Sequence, residues 1–173
     1  MPGSGKSTIV SALKERGLEA LNLGDGVRAE AKRRDLEPTG DNLGKLMLEL
    51  REKNGPGAIA ELLTGPIKNS QSKVIVIDGV RSTAEIEVVK NAGSVKLLSI
   101  EATADTRYKF LSSRGRSDDP TTRGKFEERD NREMGVGIGE SIAIADETIS
   151  NINITLDQLI ELAYKVIEKW IDT

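Results

Sequence analysis

Short apolar runs alternate with longer amphipathic stretches along the chain, which has 173 residues. The short runs, rich in β-branched residues, predict strands at 19–23, 73–77, 95–100 and 148–152. Residues 74–77 are apolar at every position, which is typical of a central strand buried on both faces. The amphipathic stretches predict helices at 7–16, 26–35, 42–53, 57–64, 83–91, 104–113, 123–134 and 156–171. The alternation favours an α/β fold in three layers, a parallel sheet with helices on both faces.

Composition excludes several kinds of chemistry. The length suits one compact domain, so we expect residues 1–173 to form a single unit. The chain contains no Cys, which excludes disulfides, thiolate zinc sites and cysteine nucleophiles. It also contains no His, which excludes Ser-His-Asp hydrolysis and His-ligated zinc. Any chemistry therefore depends on Lys, Arg, carboxylates and hydroxyls.

Charge and hydropathy narrow the possible partners. The 25 basic and 28 acidic residues give a formal net charge of -3, without the basic excess typical of nucleic-acid-binding chains. No apolar run approaches the roughly 20 residues that cross a bilayer. We therefore expect no nucleic-acid partner, no membrane association and a cytoplasmic protein.

The strongest motif lies at the start of the chain. Residues 1–7 match the last seven positions of G-x-x-x-x-G-K-[ST], and a helical stretch follows directly. Small residues let successive backbone amides surround a phosphate at a helix N-terminus. Lys6 would reach the β- and γ-phosphates and the Ser7 hydroxyl would hold Mg²⁺. The alternative is a Gly-rich turn that only caps a helix. The predicted nucleotide-binding residues of this loop are Pro2, Gly3, Ser4, Gly5, Lys6, Ser7 and Thr8.

A phosphate loop normally follows a buried strand. Because the loop begins here at Met1, we expect the first strand of the sheet to be missing from this chain. We expect Met1 to be an internal residue of a longer loop, preceded by roughly 5 to 10 strand-forming residues that end in Gly. The alternative is a truncated and poorly folded product.

Two acidic residues follow predicted strands. Asp78 comes after the continuous apolar run, at the carboxyl end of a central strand, where a carboxylate can hold Mg²⁺. Its simpler interpretation is the N-cap of the next helix. Asp25 and Arg28 follow the strand at 19–23 and lie one helical turn apart, so the pair is placed to face a ligand phosphate. Here too the alternative is a plain helix cap with a surface arginine.

Half of the arginines lie between residues 107 and 132, namely Arg107, Arg114, Arg116, Arg123, Arg129 and Arg132. Acidic residues are interleaved with them, so a solvated pair of salt-bridged helices is one explanation. The turn-forming residues 115–120 favour another, a mobile loop that presents Arg116 as the lid of a site. We expect a small lid around residues 107–139, with the glycines of 135–139 as a flexible joint at its far end.

In order along the chain, these motifs resemble those of the P-loop nucleotide kinases, specifically the adenylate kinases and dephospho-CoA kinases. Residues 24–28 look like the G-D-x-x-R of adenylate kinases, and residues 115–119 resemble the lid motif G-R-x-D-D. Residues 78–81 are similar to D-G-[FY]-P-R but lack the Pro and bring Arg81 one position closer. Residues 145–151 resemble the A-D-x-x-I-x-N of dephospho-CoA kinases. The overall resemblance is closest to an archaeal group related to adenylate kinase.

The resemblance implies a P-loop NTPase fold, ATP and Mg²⁺, and γ-phosphoryl transfer to a small nucleotide-like acceptor. It implies that Asn151 lies beside the adenine, that Asp78 serves Mg²⁺ with Ser7, and that Asp25, Arg28 and Arg81 orient the acceptor. The implied catalytic residues are Lys6, Arg116, Arg129 and Arg132. The alternatives are a dephospho-CoA kinase, and a regulatory ATP-binding module or slow ATPase without a small-molecule acceptor.

Overall fold

The computed structural model describes residues 1–172, which form an alternation of helices and short strands. The strands are β1 (Glu19–Asn22), β2 (Ile75–Asp78), β3 (Leu98–Glu101) and β4 (Glu147–Ser150). The helices are α1 (Lys6–Glu15), α2 (Leu23–Arg33), α3 (Gly40–Asn54), α4 (Ala58–Glu61), α5 (Thr64–Asn69), α6 (Thr83–Lys90), α7 (Ala104–Arg114), α8 (Arg123–Gly135), α9 (Ile138–Ala143) and α10 (Leu156–Ile171).

Hydroxyl side chains determine where many of the helices begin. The N-cap side chain of α3, α6, α7, α8 and α10 accepts a hydrogen bond from a backbone amide of the first turn. In α10, Thr155 and Gln158 form a reciprocal capping box. These contacts satisfy amide groups that have no partner within the helix, so the local sequence specifies the helix starts.

The strands form two separate parallel pairs. β1 pairs with β2 from Glu19 opposite Ile75 to Asn22 opposite Asp78, and β3 pairs with β4. The expectation of one parallel sheet is thus wrong in one respect, because the described residues build two two-stranded sheets. An open slot separates β2 from β3.

Helices cover both faces of the β1–β2 pair. Along β2, Ile77 packs against a core cluster built from α2, α3, α4 and Leu63. Val76 packs against a second cluster built from α1, α10, β3 and β4. Successive side chains of a strand point to opposite faces, so this alternation places one core on each side. The predicted three-layer α/β arrangement is therefore confirmed.

All strands point the same way. Asn22 ends β1, Asp78 ends β2 and Asn151 follows β4, and all three side chains line one cavity. The carboxyl ends of both strand pairs therefore meet at a single site, as expected for parallel sheets with crossover helices. No helix within residues 1–172 is long and apolar enough to cross a membrane.

Two short helices differ from the sequence prediction. Residues 64–69 form α5, which extends beyond the end of the helix predicted at 57–64. Gly137 adopts a left-handed backbone conformation with φ of 100° and directly precedes α9. The glycines at 135–139 therefore mark the junction of two helices, α8 and α9, and the flexibility of this joint stays a prediction.

The apolar stripe of α10 gives a test of this packing. Leu159 is fully buried in the second core cluster, whereas Leu162 on the same helix is 45% exposed. Leu159→Ala should lower the free energy of unfolding by about 2–5 kcal/mol, because it leaves a cavity. Leu162→Ala should change it by about 0.5 kcal/mol or less. Urea denaturation of the two variants measures the difference, and equal effects would contradict the assigned helix orientation.

Candidate functional site

The loop before α1 requires glycine at two positions. Gly3 and Gly5 have φ values of 80° and 104°, in the left-handed region that favours glycine. A Cβ on Gly3 would lie 2.6 Å from the carbonyl oxygen of Arg107, and a Cβ on Gly5 would lie 2.8 Å from Leu159. The loop therefore owes its shape both to backbone conformation and to close approach by neighbouring elements.

Two contacts from distant parts of the chain hold this loop. The Asn151 side-chain amide, just after β4, donates to the Ser4 carbonyl oxygen over 3.0 Å. Arg107 on α7 donates to the Pro2 carbonyl oxygen over 3.3 Å and forms a two-pronged ion pair with Asp130. Ser4 itself is fully buried. The loop is thus fixed from two sides.

Lys6 directs its amine back over the loop. Its Nζ donates to the Met1 carbonyl oxygen over 2.5 Å and to Ser4 Oγ over 3.2 Å. Burial lowers the pKa of this amine, an effect that the nearby Asp78 carboxylate opposes. The loop and this lysine together form a cationic, donor-rich concavity at the N-terminus of α1.

Asp78 is held as a buried carboxylate at the end of β2. It is 7% exposed and accepts a hydrogen bond from Asn22 Nδ2 over 2.8 Å. The N-cap of α6 is Ser82, so the interpretation of Asp78 as a helix cap is wrong. Asp78 and Ser7 line the same cavity, and their hard oxygen atoms are the donor type that Mg²⁺ prefers. The residues present therefore fit a magnesium site beside the loop.

Of the pair Asp25 and Arg28, only Arg28 lines the cavity. α2 begins at Leu23, with Asn22 as its N-cap, so Asp25 lies within the first turn and is not the cap. The Asp25 side chain is 75% exposed and pairs with Arg28 over 2.7 Å. Arg28 lines the cavity, whereas Asp25 is absent from the cavity lining within residues 1–172.

Asp118 joins the loop at residues 115–122, the lid loop, to the rest of the site. Its carboxylate lies 3.2 Å from Arg28 and 3.2 Å from Arg129. Although burial opposes ionisation, these guanidinium groups hold the pKa of Asp118 below its usual value. Ser117 Oγ also donates to the Pro38 carbonyl oxygen over 2.8 Å. The lid loop therefore rests on the start of α3 and on α2.

Arg116 projects from the lid loop. Its side chain is exposed and lines the cavity, and within residues 1–172 no carboxylate lies within 4.0 Å of its guanidinium. Asp118 pairs with Arg28 and Arg129, and Glu127 pairs with Arg123. Arg116 therefore does not fit the explanation that the arginines of residues 107–132 serve only in salt-bridged surface helices.

Two further arginines approach the cavity from α8 and from the end of β2. Arg81 forms an ion pair with the buried Glu133 and donates to the Gly79 carbonyl oxygen over 3.0 Å. Burial acts against the charge on Arg81, but Glu133, Glu85 and Asp78 outweigh it and raise its pKa. Arg132 packs on Gly44, where a Cβ would come within 2.6 Å of its guanidinium.

Some buried donors at this site have no partner. The Nε atoms of Arg129 and Arg132 are buried without a hydrogen-bond acceptor. An unsatisfied buried donor is costly, and both side chains line the cavity. Burial also lowers the pKa of Arg129, against the influence of Asp118 and Glu133. The arginine cluster therefore has donor capacity for an anionic ligand.

The loop and the arginines face one cavity of about 360 Å³. Apolar side chains line it as well, among them Val27, Leu43 and Met47. Thirteen of the predicted site residues line this cavity: Pro2, Gly3, Gly5, Lys6, Ser7, Thr8, Arg28, Asp78, Arg81, Arg116, Arg129, Arg132 and Asn151. Ser4 is buried beneath the loop and Asp25 lies on the surface.

Sequence reasoning missed the residues that hold the charged groups in place. Asn22 positions Asp78, Glu133 positions Arg81, and Asp130 positions Arg107. Asn22 stands at the end of a predicted strand, a position that could have suggested a role. Glu133 and Asp130 carry no such signal, because their partners are distant in the chain.

Comparison with known proteins shows the family to which this chain belongs. The model of the AAA domain family matches residues 1–125. A UPF0200 protein of Hyperthermus butylicus is 40% identical over 151 residues, covering 87% of this chain and 81% of its own length. A UPF0200 protein of Pyrococcus horikoshii is 37% identical over 174 residues, covering 98% of this chain and 93% of its own. The chain belongs to the UPF0200 family. It carries the P-loop NTPase-like domain that the resemblance implies.

Two glycines with left-handed backbones test the phosphate loop in this UPF0200 chain. Gly5→Ala should abolish nucleotide binding, because the new Cβ collides with Leu159 and Asn151 as well as straining the loop. Gly17→Ala is a matched control, since φ is 90° there but nothing lies within 4 Å. It should cost only about 1 kcal/mol of stability and leave binding intact. Calorimetric titration with ATP measures binding by both variants. Normal binding by Gly5→Ala would contradict the assignment of residues 1–7 as the phosphate loop.

The buried carboxylate of Asp118 should stabilise the fold in a pH-dependent way. Its folded pKa lies below the ordinary 3.8, so its contribution is complete above that pH and is lost as the pH falls through the lowered value. Asp118→Asn should therefore be less stable at pH 6, by about 1–3 kcal/mol. Thermal melts should show the gap from wild type narrowing as the pH falls toward 2. A gap independent of pH would contradict the ion-pair assignment.

Proposed function

We propose that the chain transfers the γ-phosphoryl group of ATP to a small, phosphate-bearing acceptor of the nucleotide type. One observation carries this proposal: the phosphate loop and the cluster of arginines line the same cavity. A site that only binds ATP needs the loop but not a second set of cations facing it. Phosphoryl transfer needs both, because charge must be neutralised on the donor, on the acceptor and on the group in transit.

The donor half is formed by the loop and the end of β2. Lys6 and the backbone amides of the loop bind the β- and γ-phosphates of ATP. Ser7 and Asp78 would hold Mg²⁺, which would offset the negative charge of the phosphates. Asn22 fixes the Asp78 carboxylate through its hydrogen bond of 2.8 Å. Asn151, which donates to the Ser4 carbonyl oxygen, would face the adenosine of the bound ATP.

The acceptor half is formed by α2, α3 and the segment after β2. Arg28 and Arg81 bind the acceptor phosphate, while Val27, Leu43 and Met47 contact its uncharged portion. Asp25 acts on the acceptor only through its ion pair with Arg28. Glu133 keeps the Arg81 guanidinium in place, so Arg81 is oriented before the acceptor arrives.

The lid loop and α8 supply the remaining positive charge. Arg129 and Arg132 on α8 bring buried, partly unsatisfied guanidinium groups to the cavity, and Arg116 reaches it from the lid loop. Guanidinium groups in these positions stabilise the negative charge on the transferring phosphoryl group. The reaction proceeds by positioning and charge neutralisation, which suits a chain without His or Cys.

The direct test is an acceptor screen with purified protein, ATP and Mg²⁺. The panel contains nucleoside monophosphates and dephospho-coenzyme A, and ADP release is measured with and without each acceptor. The proposal predicts that one acceptor class raises ADP formation and itself gains a phosphoryl group, and that Lys6→Ala abolishes the activity. ATP binding with no acceptor-dependent turnover anywhere in the panel would favour a regulatory ATP-binding module instead.

The role of Arg116 in the lid loop can be tested with two variants, Arg116→Ala and the control Arg123→Ala. Arg116→Ala should lower kcat and kcat/KM together by a factor on the order of 10² or more, because its contact belongs to the transition state. ATP affinity in the binary complex should remain nearly unchanged. Steady-state kinetics with the active acceptor measure both constants.

Arg123 serves as the control because it is an exposed arginine of the same segment that pairs with Asp105 and Glu127. Arg123→Ala should leave turnover near the wild-type rate. Equal losses in the two variants, or a fully active Arg116→Ala enzyme, would remove Arg116 from the catalytic group.

A further inference from the structure

Glu85 on α6 is a fully buried carboxylate that does not line the cavity formed by residues 1–172. Its two oxygen atoms have different partners. Oε1 accepts a hydrogen bond from Arg51 Nη2 on α3 over 2.6 Å, and Oε2 accepts one from the backbone amide of Arg81 over 2.7 Å. The Arg51 side chain is itself only 11% exposed. Replacing a buried ion pair of this kind by apolar side chains is often neutral or stabilising, so stability alone does not explain the pair.

The contact between Glu85 and Arg81 differs from an ordinary helix cap. In α10, the Gln158 side chain accepts from the amide of the N-cap residue Thr155 over 2.8 Å. In α6, Ser82 is the N-cap, and its hydroxyl accepts from the Glu85 amide. The Glu85 carboxylate instead binds the amide of the residue before the N-cap. The Glu85 side chain therefore fixes the turn that precedes α6.

Arg81 is held at both ends by buried carboxylates. Glu85 holds its backbone amide, and Glu133 on α8 forms an ion pair with its guanidinium. The guanidinium also folds back on its own turn, because Nη1 donates to the Gly79 carbonyl oxygen over 3.0 Å. Gly79 has a φ of 96°, a conformation that favours glycine. The direction of the Arg81 side chain therefore depends on the shape of the turn at 79–82, which Glu85 fixes.

The other partner of Glu85 belongs to the helix that forms the apolar wall of the cavity. Arg51 lies one helical turn after Met47 on α3, and its Nη1 donates to the Met47 carbonyl oxygen over 3.4 Å. Met47 lines the cavity, as does Leu43. One carboxylate thus connects the segment that carries Arg81 to the helix that carries the apolar wall.

We propose that Glu85, together with Arg51, is a positioning residue for the phosphate acceptor. It holds Arg81 at a fixed distance from the α3 wall, so the acceptor phosphate and the uncharged portion of the acceptor meet partners that are already in place. This inference rests on the proposed function, in which Arg81 binds the acceptor phosphate. Within residues 1–172, Glu85 makes no hydrogen bond to residues 1–7 or to Asp78, so its loss should weaken acceptor binding and leave ATP binding intact.

Two double variants isolate the contact with Arg81. Both carry Arg51→Met, and they differ only in Glu85→Gln or Glu85→Leu. Since both charges of the ion pair are removed together, neither variant leaves a buried charge unpaired. The glutamine oxygen can still accept from the Arg81 amide, whereas leucine leaves that amide without a partner.

Calorimetric titration with pyrophosphate measures the acceptor half while a saturating magnesium complex of a non-hydrolysable ATP analogue occupies the donor half. The Glu85→Leu form should bind pyrophosphate about tenfold more weakly than the Glu85→Gln form, the fold-change expected for one unsatisfied buried donor. The Glu85→Gln form should bind pyrophosphate nearly as well as the wild type. ATP affinity in the absence of pyrophosphate should be the same in both forms.

Glu30 on α2 provides a matched control. Its side chain is 12% exposed, pairs with Arg33 and Arg34, and is absent from the cavity lining in the part of the chain that the structure describes. Glu30→Leu should lower Tm and leave pyrophosphate binding at the wild-type level. A loss of binding in Glu30→Leu as large as that in the Glu85→Leu form would overturn the proposal, because it would show a general effect of lost ion pairs.

Hydrogen exchange of the Arg81 amide in the wild-type chain tests the proposal without any substitution. A turn that Glu85 already fixes predicts slow exchange before pyrophosphate is added and no further slowing afterwards. Fast exchange that slows only with pyrophosphate would overturn the proposal, since the ligand would then fix the turn. This measurement remains decisive if the Glu85→Leu form does not fold.

Arg81→Ala separates failure of this inference from failure of the proposed function. It should abolish pyrophosphate binding beside the analogue. If Arg81→Ala binds pyrophosphate normally, the proposed acceptor half is wrong, and the role of Glu85 is wrong with it. If Arg81→Ala loses binding but the Glu85→Gln and Glu85→Leu forms bind alike, the acceptor half stands and the positioning role of Glu85 is overturned.

Discussion

The structure depends on the balance of charge around one cavity. Positive groups from five different parts of the chain converge there: the loop lysine, Arg28 on α2, Arg81 after β2, Arg116 on the lid loop, and the arginines of α8. Such a concentration of like charge in a partly buried place would destabilise the fold if it were left alone. Carboxylates offset it locally, with Glu133 on Arg81 and Asp118 on Arg28 and Arg129. The compensation is incomplete, since the buried Nε atoms of Arg129 and Arg132 have no hydrogen-bond acceptor.

The fold brings these groups together because the carboxyl ends of parallel strands lie at the same edge of a sheet. The ends of β1 and β2 and the residue after β4 line the cavity, so residues far apart in sequence share one site. The lid loop contacts both neighbouring helical segments, because Asp118 pairs with Arg28 on α2 and Ser117 donates to the carbonyl oxygen of Pro38, two residues before α3. A carboxylate held between two guanidinium groups occupies the kind of position that a phosphate would take. Under the proposed function, an acceptor phosphate at Arg28 would compete with Asp118 of the lid loop for the same guanidinium group.

The sequence predicts the helices and the phosphate loop because both depend on residues that are close together in the chain. The periodicity of α10 and the caps at Ser82, Thr103 and Thr122 depend on neighbouring residues, so the helix bounds follow from the sequence within a few positions. The phosphate loop is equally local, since two glycines and a lysine before a helix suffice to define it. The partners of the charged groups are not local. Glu133 lies 52 positions from Arg81, and only the folded chain brings them into contact. The division into two strand pairs likewise depends on long-range pairing, which hydropathy does not encode.

The most direct test of two anion-binding halves in one cavity is a calorimetric titration of the protein with inorganic pyrophosphate. It is carried out with and without a saturating magnesium complex of a non-hydrolysable ATP analogue. The account predicts a pyrophosphate site that remains when the analogue is bound, that survives in Lys6→Ala, and that is lost in Arg28→Ala. If the analogue abolishes all pyrophosphate binding to the wild-type chain, the cavity holds a single anion, and the account of donor and acceptor halves is contradicted.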